Sequence, residues 1–531
     1  KEAVAELPKQ FAAQPALRAE LLGVVGGLLR DLHLNRDAIA ALNIRVSALK
    51  SLTPLPDVEI FATRYAIAAA LYDTGETADA KSQLLALDKE LQSNRDPKLQ
   101  RIRANVNGTL SHLHSSAYER SLALAHGQRA VELSDTYSAD VDSKIDNLQH
   151  YAYALDVNEQ IEASRTAYRR AIELAESEKG RDSIKVAQTQ LTFGESLVTQ
   201  NAPRLAIRHL RRAIEVGVPK WGDDSFWASR AYEALGRSLS NVGEFEEAQA
   251  MYATSQIGID NNVAHIPVDT VIRNRLRYVD HLLNYGDVAT ASAILERLPA
   301  SLGDSGVGRV LLPLTKGRAL TETGAYDASL QHFQKFSQAL ASLWPLESAE
   351  HAHILLRIAM NQSLLAKHAD ADAVYDGVLK RFPDLTGPLG KVQHIALAQK
   401  ALNAYLAGDA AAALKLSTPI VELAIAQPVD QRRPNNTHIM LLRHAIYLKA
   451  QGRCAEALPL LTTTSAIASK FSANSLLRAQ SIAVHRECLV AVGDTKSLAG
   501  LPTSLPVDAL ARPSVPLHNR IGVDAIGKPV R

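Results

Sequence analysis

The amino-acid sequence predicts an all-α protein, a solenoid of about twelve helical hairpins. Alanine and leucine are abundant among its 531 residues and aromatic residues make up only 5%, a composition that favours helices. Turn-forming residues recur about every 41 residues, and a small residue follows most of them at a constant distance. Because one hairpin cannot bury its apolar faces alone, such a repeat indicates a stack of hairpins.

The turns are marked mainly by glycine and asparagine, which tolerate a left-handed backbone at the end of a helix. Asn35 and Gly493 lie 458 positions apart and enclose eleven intervals, so the mean spacing is about 41.6 residues. The twelve markers are Asn35, Gly75, Ser116, Asn158, Asn201, Gly243, Gly286, Gly324, His368, Gly408, Gly452 and Gly493.

Small and large residues keep fixed distances from these markers. Five positions after them, with Leu498 as the exception, stand Ala40, Ala80, Ser121, Ala163, Ala206, Ala248, Ala291, Ser329, Ala373, Ala413 and Ala457. Seven positions before several of them stand Ala68, Gly194, Gly236, Gly317, Ala401 and Ala445. Nine positions after several stand Ile44, Leu84, Leu210, Tyr252, Leu295, Phe333 and Leu461. The pattern predicts helices that cross closely at small residues, with a bulky side chain beside each crossing.

This pattern resembles the tetratricopeptide repeat (TPR). The best copy runs from Ala231 to Ala248, and Gly324-Ala-Tyr326-Asp-Ala-Ser329 is a second good match. The repeats are longer than the usual 34 residues of the family. The resemblance covers residues 15–500 and implies a right-handed superhelix with a concave binding groove. We treat 1–14 as an N-terminal segment and the Pro-containing 501–531 as a C-terminal tail.

Composition and motifs argue against several classes of function. The net charge of +2 does not favour a nucleic-acid-binding protein, which needs a basic face. Two cysteines cannot form a four-cysteine zinc site, and no cofactor motif is present. Gly303-Asp-Ser-Gly306 resembles a protease nucleophile segment, but a solenoid lacks the β-barrels that would supply its His and Asp. His112 and His114 point to different sides of a helix, so we expect no shared metal.

The opening of the chain resembles the first repeat of a group of proteobacterial serine/threonine protein kinases. The resemblance rests on the segment Gln-Pro-Ala-Leu-Arg-Ala-Glu-Leu-Leu at residues 14–22. Those proteins consist of a kinase domain, one membrane helix and a long TPR region. The resemblance implies the sensor half of such a kinase, on the periplasmic face of a bacterial inner membrane, without the catalytic domain. The resemblance also implies a membrane helix upstream. No apolar run in this chain is long enough to span a bilayer.

A second class of function remains open, a cytosolic TPR scaffold or the effector-binding arm of a transcriptional regulator. In either case we expect a peptide or protein ligand and no enzymatic activity. In TPR arrays, residues about 13, 10 and 6 positions before the turn face the groove. For the middle repeats this register selects as groove residues Glu195, Arg230, Arg237, Arg273, Asp280 and Arg318. Near the helix ends, Asn241 and Asn284 are added to this set. The four arginines of this set could bind a carboxylate-bearing peptide by paired hydrogen bonds.

Cys454 and Cys488 are expected at matching heights on neighbouring helices. The midpoint of their numbers is residue 471, beside the loop-like Ser472-Ala-Asn474. A disulfide also requires Cα atoms within about 7 Å, which adjacent helices seldom allow. Free buried thiols are therefore the expected state, and a disulfide is the alternative.

Overall fold

The structure is a computed structural model, and it describes residues 2–32, 34–137, 140–263, 266–299, 307–341, 348–384, 391–427, 434–473 and 475–502. Within these ranges the regular elements are helices, with no strand. The predicted all-α fold class is thereby confirmed. The protease-like Gly303–Gly306 segment and tail residues 503–531 lie outside the described residues.

The helices follow one another with short connections. The first half of the chain contains α1 (Glu2–Gln10), α2 (Pro15–Asp31), α3 (Asn35–Lys50), α4 (Asp57–Asp73), α5 (Thr77–Leu91), α6 (Pro97–Ser116), α7 (Arg120–Thr136), α8 (Val141–Val157), α9 (Ile161–Lys179), α10 (Ile184–Thr199), α11 (Pro203–Trp221), α12 (Phe226–Val242) and α13 (Phe245–Asn262). The second half contains α14 (Val268–Tyr285), α15 (Val288–Arg297), α16 (Gly308–Glu322), α17 (Tyr326–Leu340), α18 (Ala349–Leu364), α19 (His368–Arg381), α20 (Val392–Leu406), α21 (Ala410–Ala426), α22 (Pro434–Ala450), α23 (Cys454–Ala468), α24 (Leu476–Val492) and α25 (Thr495–Ala499).

From α2 onward these helices pair into twelve hairpins within the described residues. The first helix of a hairpin packs on its own second helix and on the first helix of the next hairpin, as α6 does on α7 and α8. A cluster of six buried apolar side chains shows how neighbouring hairpins share a core: Ala68, Leu84, Leu87, Val106, Leu110 and Leu113. The apolar faces are therefore buried between hairpins, as the repeat pattern requires.

The chain divides into two compact units. The first unit comprises residues 1–200, 205–231 and 257–267. The second unit comprises residues 201–204, 232–256 and 268–531. The repeat pattern predicted one solenoid over 15–500, and the division passes through α12 and α13 without any loop signal.

The hairpin turns show which residues set the register. All seven marker glycines and Asn201 have a positive φ, as predicted. At three other turns the left-handed residue is Tyr118, Glu159 or Ala366, one or two positions from the predicted marker. The turn geometry is thus kept where the sequence offers no glycine. An L-residue in this conformation costs about 1–2 kcal/mol.

This shift corrects part of the predicted packing pattern. Four of the small residues predicted at hairpin crossings are exposed: Ala40, Ser121, Ala163 and Ala373. Counting five positions from the observed left-handed residues instead selects Ala123, Ser164 and Ala371, which are all fully buried. At these three turns the spacing rule therefore holds once it is counted from the left-handed residue, and the exposed Ala40 remains an exception.

Close approaches confirm the small-against-large packing inside hairpins. A Cβ added to Gly194 would lie 2.6 Å from the side chain of Leu210. The same addition at Gly317 would lie 2.5 Å from Phe333. Since non-bonded carbon atoms need more than 3 Å, any larger residue would force the two helices apart.

The second unit contacts itself across a long stretch of sequence. Glu244 and Lys470 form an ion pair at 2.7 Å, and the Ser472 amide donates a 3.0 Å hydrogen bond to the Tyr285 carbonyl. The ring of Phe245 lies 5.2 Å from that of Phe471, and both side chains are buried. The turns that flank α13 and α14 therefore meet the α23–α24 connection within this unit.

The structure joins Cys454 and Cys488 in a disulfide, where free thiols were the favoured expectation. Their Cα atoms are 5.0 Å apart, because α23 and α24 approach each other more closely than adjacent helices usually do. Both residues are buried in one apolar cluster with Leu442, Ala457 and Leu461. The matching heights inferred from their numbering are those of the structure.

Candidate ligand-binding groove

The first unit contains a cavity of about 640 Å³ on the side formed by the first helices of successive hairpins. Its volume falls within the range of roughly 300–1,000 Å³ that is common for ligand pockets. The lining residues are Tyr72, His112, Asp146, Gln149, His150, Tyr153, Tyr168, Lys185, Gln188, Thr192, Glu195, Ser196, Thr199, Trp227 and Arg230. We call this cavity the groove.

Four helices supply nearly all of these side chains. α6 contributes one, α8 four, α10 six and α12 two. Because α6 packs on α8 and α8 packs on α10, equivalent positions of consecutive hairpins lie side by side. A single helix face, repeated with a period of about 42 residues, therefore builds the groove.

Aromatic rings occupy one part of the groove. The His112 ring lies 5.4 Å from Tyr72, 5.2 Å from His150 and 5.2 Å from Tyr153. Burial, with a smaller effect from His150, lowers the pKa of His112 to about 3. Burial also lowers the pKa of His150 to about 4. Both imidazoles are neutral near pH 7, so this part of the groove is aromatic and uncharged.

Charged groups in the groove are paired with one another. Lys185 donates a 2.7 Å hydrogen bond to Asp146, and Arg230 binds Glu195 through both carboxylate oxygens, the shorter distance being 2.7 Å. The guanidinium carbon of Arg230 lies 4.9 Å from the centre of the Trp227 ring, a cation–π contact. Two cations therefore face two anions, and the lining carries no net charge.

Of the eight residues selected from the sequence, Glu195 and Arg230 line the groove. The other six lie in the second unit: Arg237, Asn241, Arg273, Asp280, Asn284 and Arg318. Arg318 is buried, pairs with Asp280 and donates a 2.7 Å hydrogen bond to Asn284. Arg237 lies 3.8 Å from Glu233. Carboxylates of the chain itself thus neighbour Arg230, Arg237 and Arg318.

Most of the groove was not predicted from the sequence, and on α6 and α8 the turn shift contributes to this. Counting from Glu159, the observed left-handed residue, positions 13, 10 and 6 before the turn are Asp146, Gln149 and Tyr153. All three line the groove. The same count from Tyr118 selects His112. On α6 and α8 the missing information was therefore which residue of a glycine-free turn adopts positive φ. On α10 and α12 the turns were predicted correctly, and the missed lining residues other than Gln188 lie outside positions 13, 10 and 6.

A second cavity, of about 520 Å³, lies in the second unit beside the Glu244–Lys470 pair. Threonine, alanine and aliphatic side chains of α23 form most of its wall, and its one charged group, Lys470, is paired. It offers fewer hydrogen-bonding groups than the groove. The groove is therefore the better candidate for specific recognition.

Two further properties concern the described ranges alone. No group of three or more His, Cys, Asp or Glu side chains there could hold a metal ion. No described helix is both long enough and apolar enough to cross a membrane.

No family model matches the chain, and no curated protein matches it. Among solved structures, a Rap protein complexed with competence and sporulation factor is similar with a TM-score of 0.49 and 14% identity, covering 69% of this chain and 98% of that one. The Cut9–Hcn1 hetero-tetramer of the APC/C has a TM-score of 0.44 and 12% identity, covering 93% of this chain and 86% of that one. Aspartyl phosphate phosphatase F from Bacillus subtilis has a TM-score of 0.44 and 12% identity, covering 70% of this chain and 95% of that one.

Proposed function

We propose that this chain is a non-catalytic TPR-type domain that binds an extended peptide or protein segment in the groove of its first unit. The observation that carries the proposal is the composition of the groove. Aromatic rings supply apolar contact area at low entropic cost, and the amides of Gln149 and Gln188 can both donate and accept hydrogen bonds. An extended peptide needs apolar contact area for its side chains and hydrogen-bonding groups for its backbone.

The paired charges define the kind of segment that fits. Arg230 already binds Glu195, so a ligand carboxylate would have to compete with an intramolecular partner. We therefore favour a segment with apolar or aromatic side chains over the carboxylate-anchored peptide suggested by the sequence. The indole of Trp227, held beside Arg230, is a suitable anchor for such a ligand.

We further propose that the cellular role of this domain is that of a sensor in a bacterial receptor-like serine/threonine kinase, with the groove on the periplasmic side of the inner membrane. The opening segment at residues 14–22 supports the kinase link by resemblance. The Cys454–Cys488 disulfide supports an oxidising compartment, because thiols in the cytosol are kept reduced. Reading the gene upstream of Lys1 tests the kinase link directly.

The cytosolic scaffold is the alternative, and the redox state of the cysteines separates the two. Cells that make the native protein are lysed in a maleimide-coupled polymer that adds mass to free thiols. We expect no mass shift without prior reduction and two added groups after reduction. Two added groups before reduction would place the chain in a reducing compartment and favour the alternative.

Peptide binding is tested with the whole chain. A dodecapeptide display library is selected on the immobilised protein, and the affinity of enriched peptides is measured by titration calorimetry. We expect Trp227→Ala and Tyr153→Ala each to weaken binding at least about tenfold, since buried aromatic anchors contribute more than 1–2 kcal/mol.

The matched control is Tyr137→Ala, which removes a partly exposed tyrosine of the same unit outside the groove. This variant should bind the selected peptides normally. Circular dichroism must show unchanged helix content in all three variants. Enriched peptides that bind the two groove variants as tightly as the wild type would contradict the proposed site.

A further inference from the structure

Three residues of the second unit occupy the same position in consecutive hairpins. Arg357 on α18, Gln399 on α20 and Arg443 on α22 each stand nine residues before the left-handed turn residue of their hairpin. α20 packs against both α18 and α22. The three side chains therefore form a row on adjacent first helices, with Gln399 in the middle.

Two members of this row are buried and have donor atoms without hydrogen-bond partners. Arg357 is 2% exposed and Gln399 is 0% exposed. Within the described ranges, nothing accepts a hydrogen bond from Arg357 Nε or Nη1, and neither amide atom of Gln399 has a partner. The hydroxyl of Tyr447, one turn after Arg443, is also buried and unpaired there. Buried polar groups are rarely left unpaired, because each loses its hydration without a replacement, so these donors point to a ligand.

Three arginines and two carboxylates interact electrostatically around the row. Arg318, Arg357 and Arg443 all act on the Glu322 carboxylate, and Asp280 also acts on Arg357. Burial raises the pKa of Glu322 in spite of these arginines. Burial, together with Arg318, lowers the pKa of Arg357 to about 10, so the guanidinium stays charged at neutral pH.

We propose that Arg357, Gln399 and Arg443 bind one oxyanion, a phosphate or a carboxylate group, on the inner face of α18, α20 and α22. A guanidinium presents paired N–H donors that match the oxygens of such groups. The Gln399 amide and the Tyr447 hydroxyl supply further donors. This site is separate from the groove and does not depend on the proposed peptide.

The test uses the full chain and two probes, inorganic phosphate and acetate, at constant ionic strength in sodium chloride. Equilibrium dialysis with each radiolabelled probe measures saturable binding. We expect one probe molecule per chain, and the tighter of the two identifies phosphate or carboxylate as the natural group. Arg357→Met and Gln399→Leu should each weaken this binding by about tenfold or more, since each removes donors to a charged acceptor. The exposed Arg309→Met on α16 is the control and should bind normally.

Thermal unfolding supplies an independent readout. The better probe should raise the Tm of the wild type and of Arg309→Met but not that of Arg357→Met. In chloride alone, Arg357→Met should be at least as stable as the wild type, because it removes a buried guanidinium whose Nε and Nη1 have no acceptor among the described residues. If that variant does not fold, Gln399→Leu carries the test, since it retains every charge. Absence of saturable phosphate and acetate binding to the wild type, or normal binding by Gln399→Leu, would overturn the proposal.

Discussion

The two units use the same hairpin but fill their inner faces differently. In the first unit, aromatic and amide side chains leave a cavity of about 640 Å³ with its charges paired. In the second unit, the corresponding helices carry buried arginines, and the chain contacts itself between Phe245 and Phe471. Small and large residues around the turn determine hairpin packing in both units. The inner face varies independently of that packing, so the repeat pattern predicts the fold without predicting the ligand.

The largest expected effect comes from breaking the self-contact of the second unit. Phe471→Ala removes a buried ring that packs on Phe245 and His438, and should cost about 3–5 kcal/mol. Hydrogen exchange followed by mass spectrometry should show faster exchange in α23, α24 and the turns flanking α13 and α14. Exchange in α6, α8 and α10 should remain as in the wild type. Unchanged exchange in α23 and α24 would mean that the self-contact contributes little.

Removing the disulfide should have the next largest effect. Cys454→Ala with Cys488→Ala opens a loop of sequence separation 34, for which chain entropy predicts a loss of about 3–4 kcal/mol. Urea unfolding of the double variant and of the oxidised wild type measures the difference. Reduced wild type is the control and should resemble the variant. Equal stability of the oxidised and reduced proteins would show that the bond does not support this end of the second unit.

Acid should weaken the second unit through His438. Burial lowers the pKa of this imidazole from 6.5 to about 4. Below pH 6.5 this imidazole therefore binds a proton in the unfolded chain but not in the folded chain. The free energy of unfolding falls as the pH drops from 6.5 towards 4. The loss from this residue between pH 7.5 and pH 5 is about 2 kcal/mol. His438→Gln should be less acid-sensitive by that amount in urea unfolding at the two pH values, and an identical pH dependence would contradict the assignment.

The sequence predicted the fold class and the small-against-large packing because both follow from residue size at fixed spacing. It missed groove residues on α6 and α8, since Tyr118 and Glu159 adopt a left-handed backbone that nothing in their identity signals. The self-contact of the second unit could not be predicted from the sequence either. Lys470 and Glu244 are 226 residues apart and belong to no shared repeat position. A periodic pattern reports neighbours along the array and carries no information about contacts between distant hairpins.

The smallest expected effect tests the corrected register. Ala366→Gly should stabilise the second unit by about 1 kcal/mol, because glycine adopts the positive φ of this turn without strain. The control is Ala373→Gly, at the exposed helical position first predicted as a crossing, which should destabilise by about 1 kcal/mol. Urea unfolding compares the two variants. Destabilisation by Ala366→Gly would show that the turn is placed wrongly.

Recognition in the groove is tested most sharply by mapping where a selected peptide binds. A dodecapeptide enriched on the whole chain is resynthesised with a photoreactive phenylalanine, cross-linked, and the adduct is located by mass spectrometry. We expect adducts on α8, α10 and α12, at groove residues such as Tyr153 and Trp227. Adducts confined to α14–α24 would contradict the groove assignment, because they would place recognition in the second unit, whose inner face carries buried charges in place of an open groove.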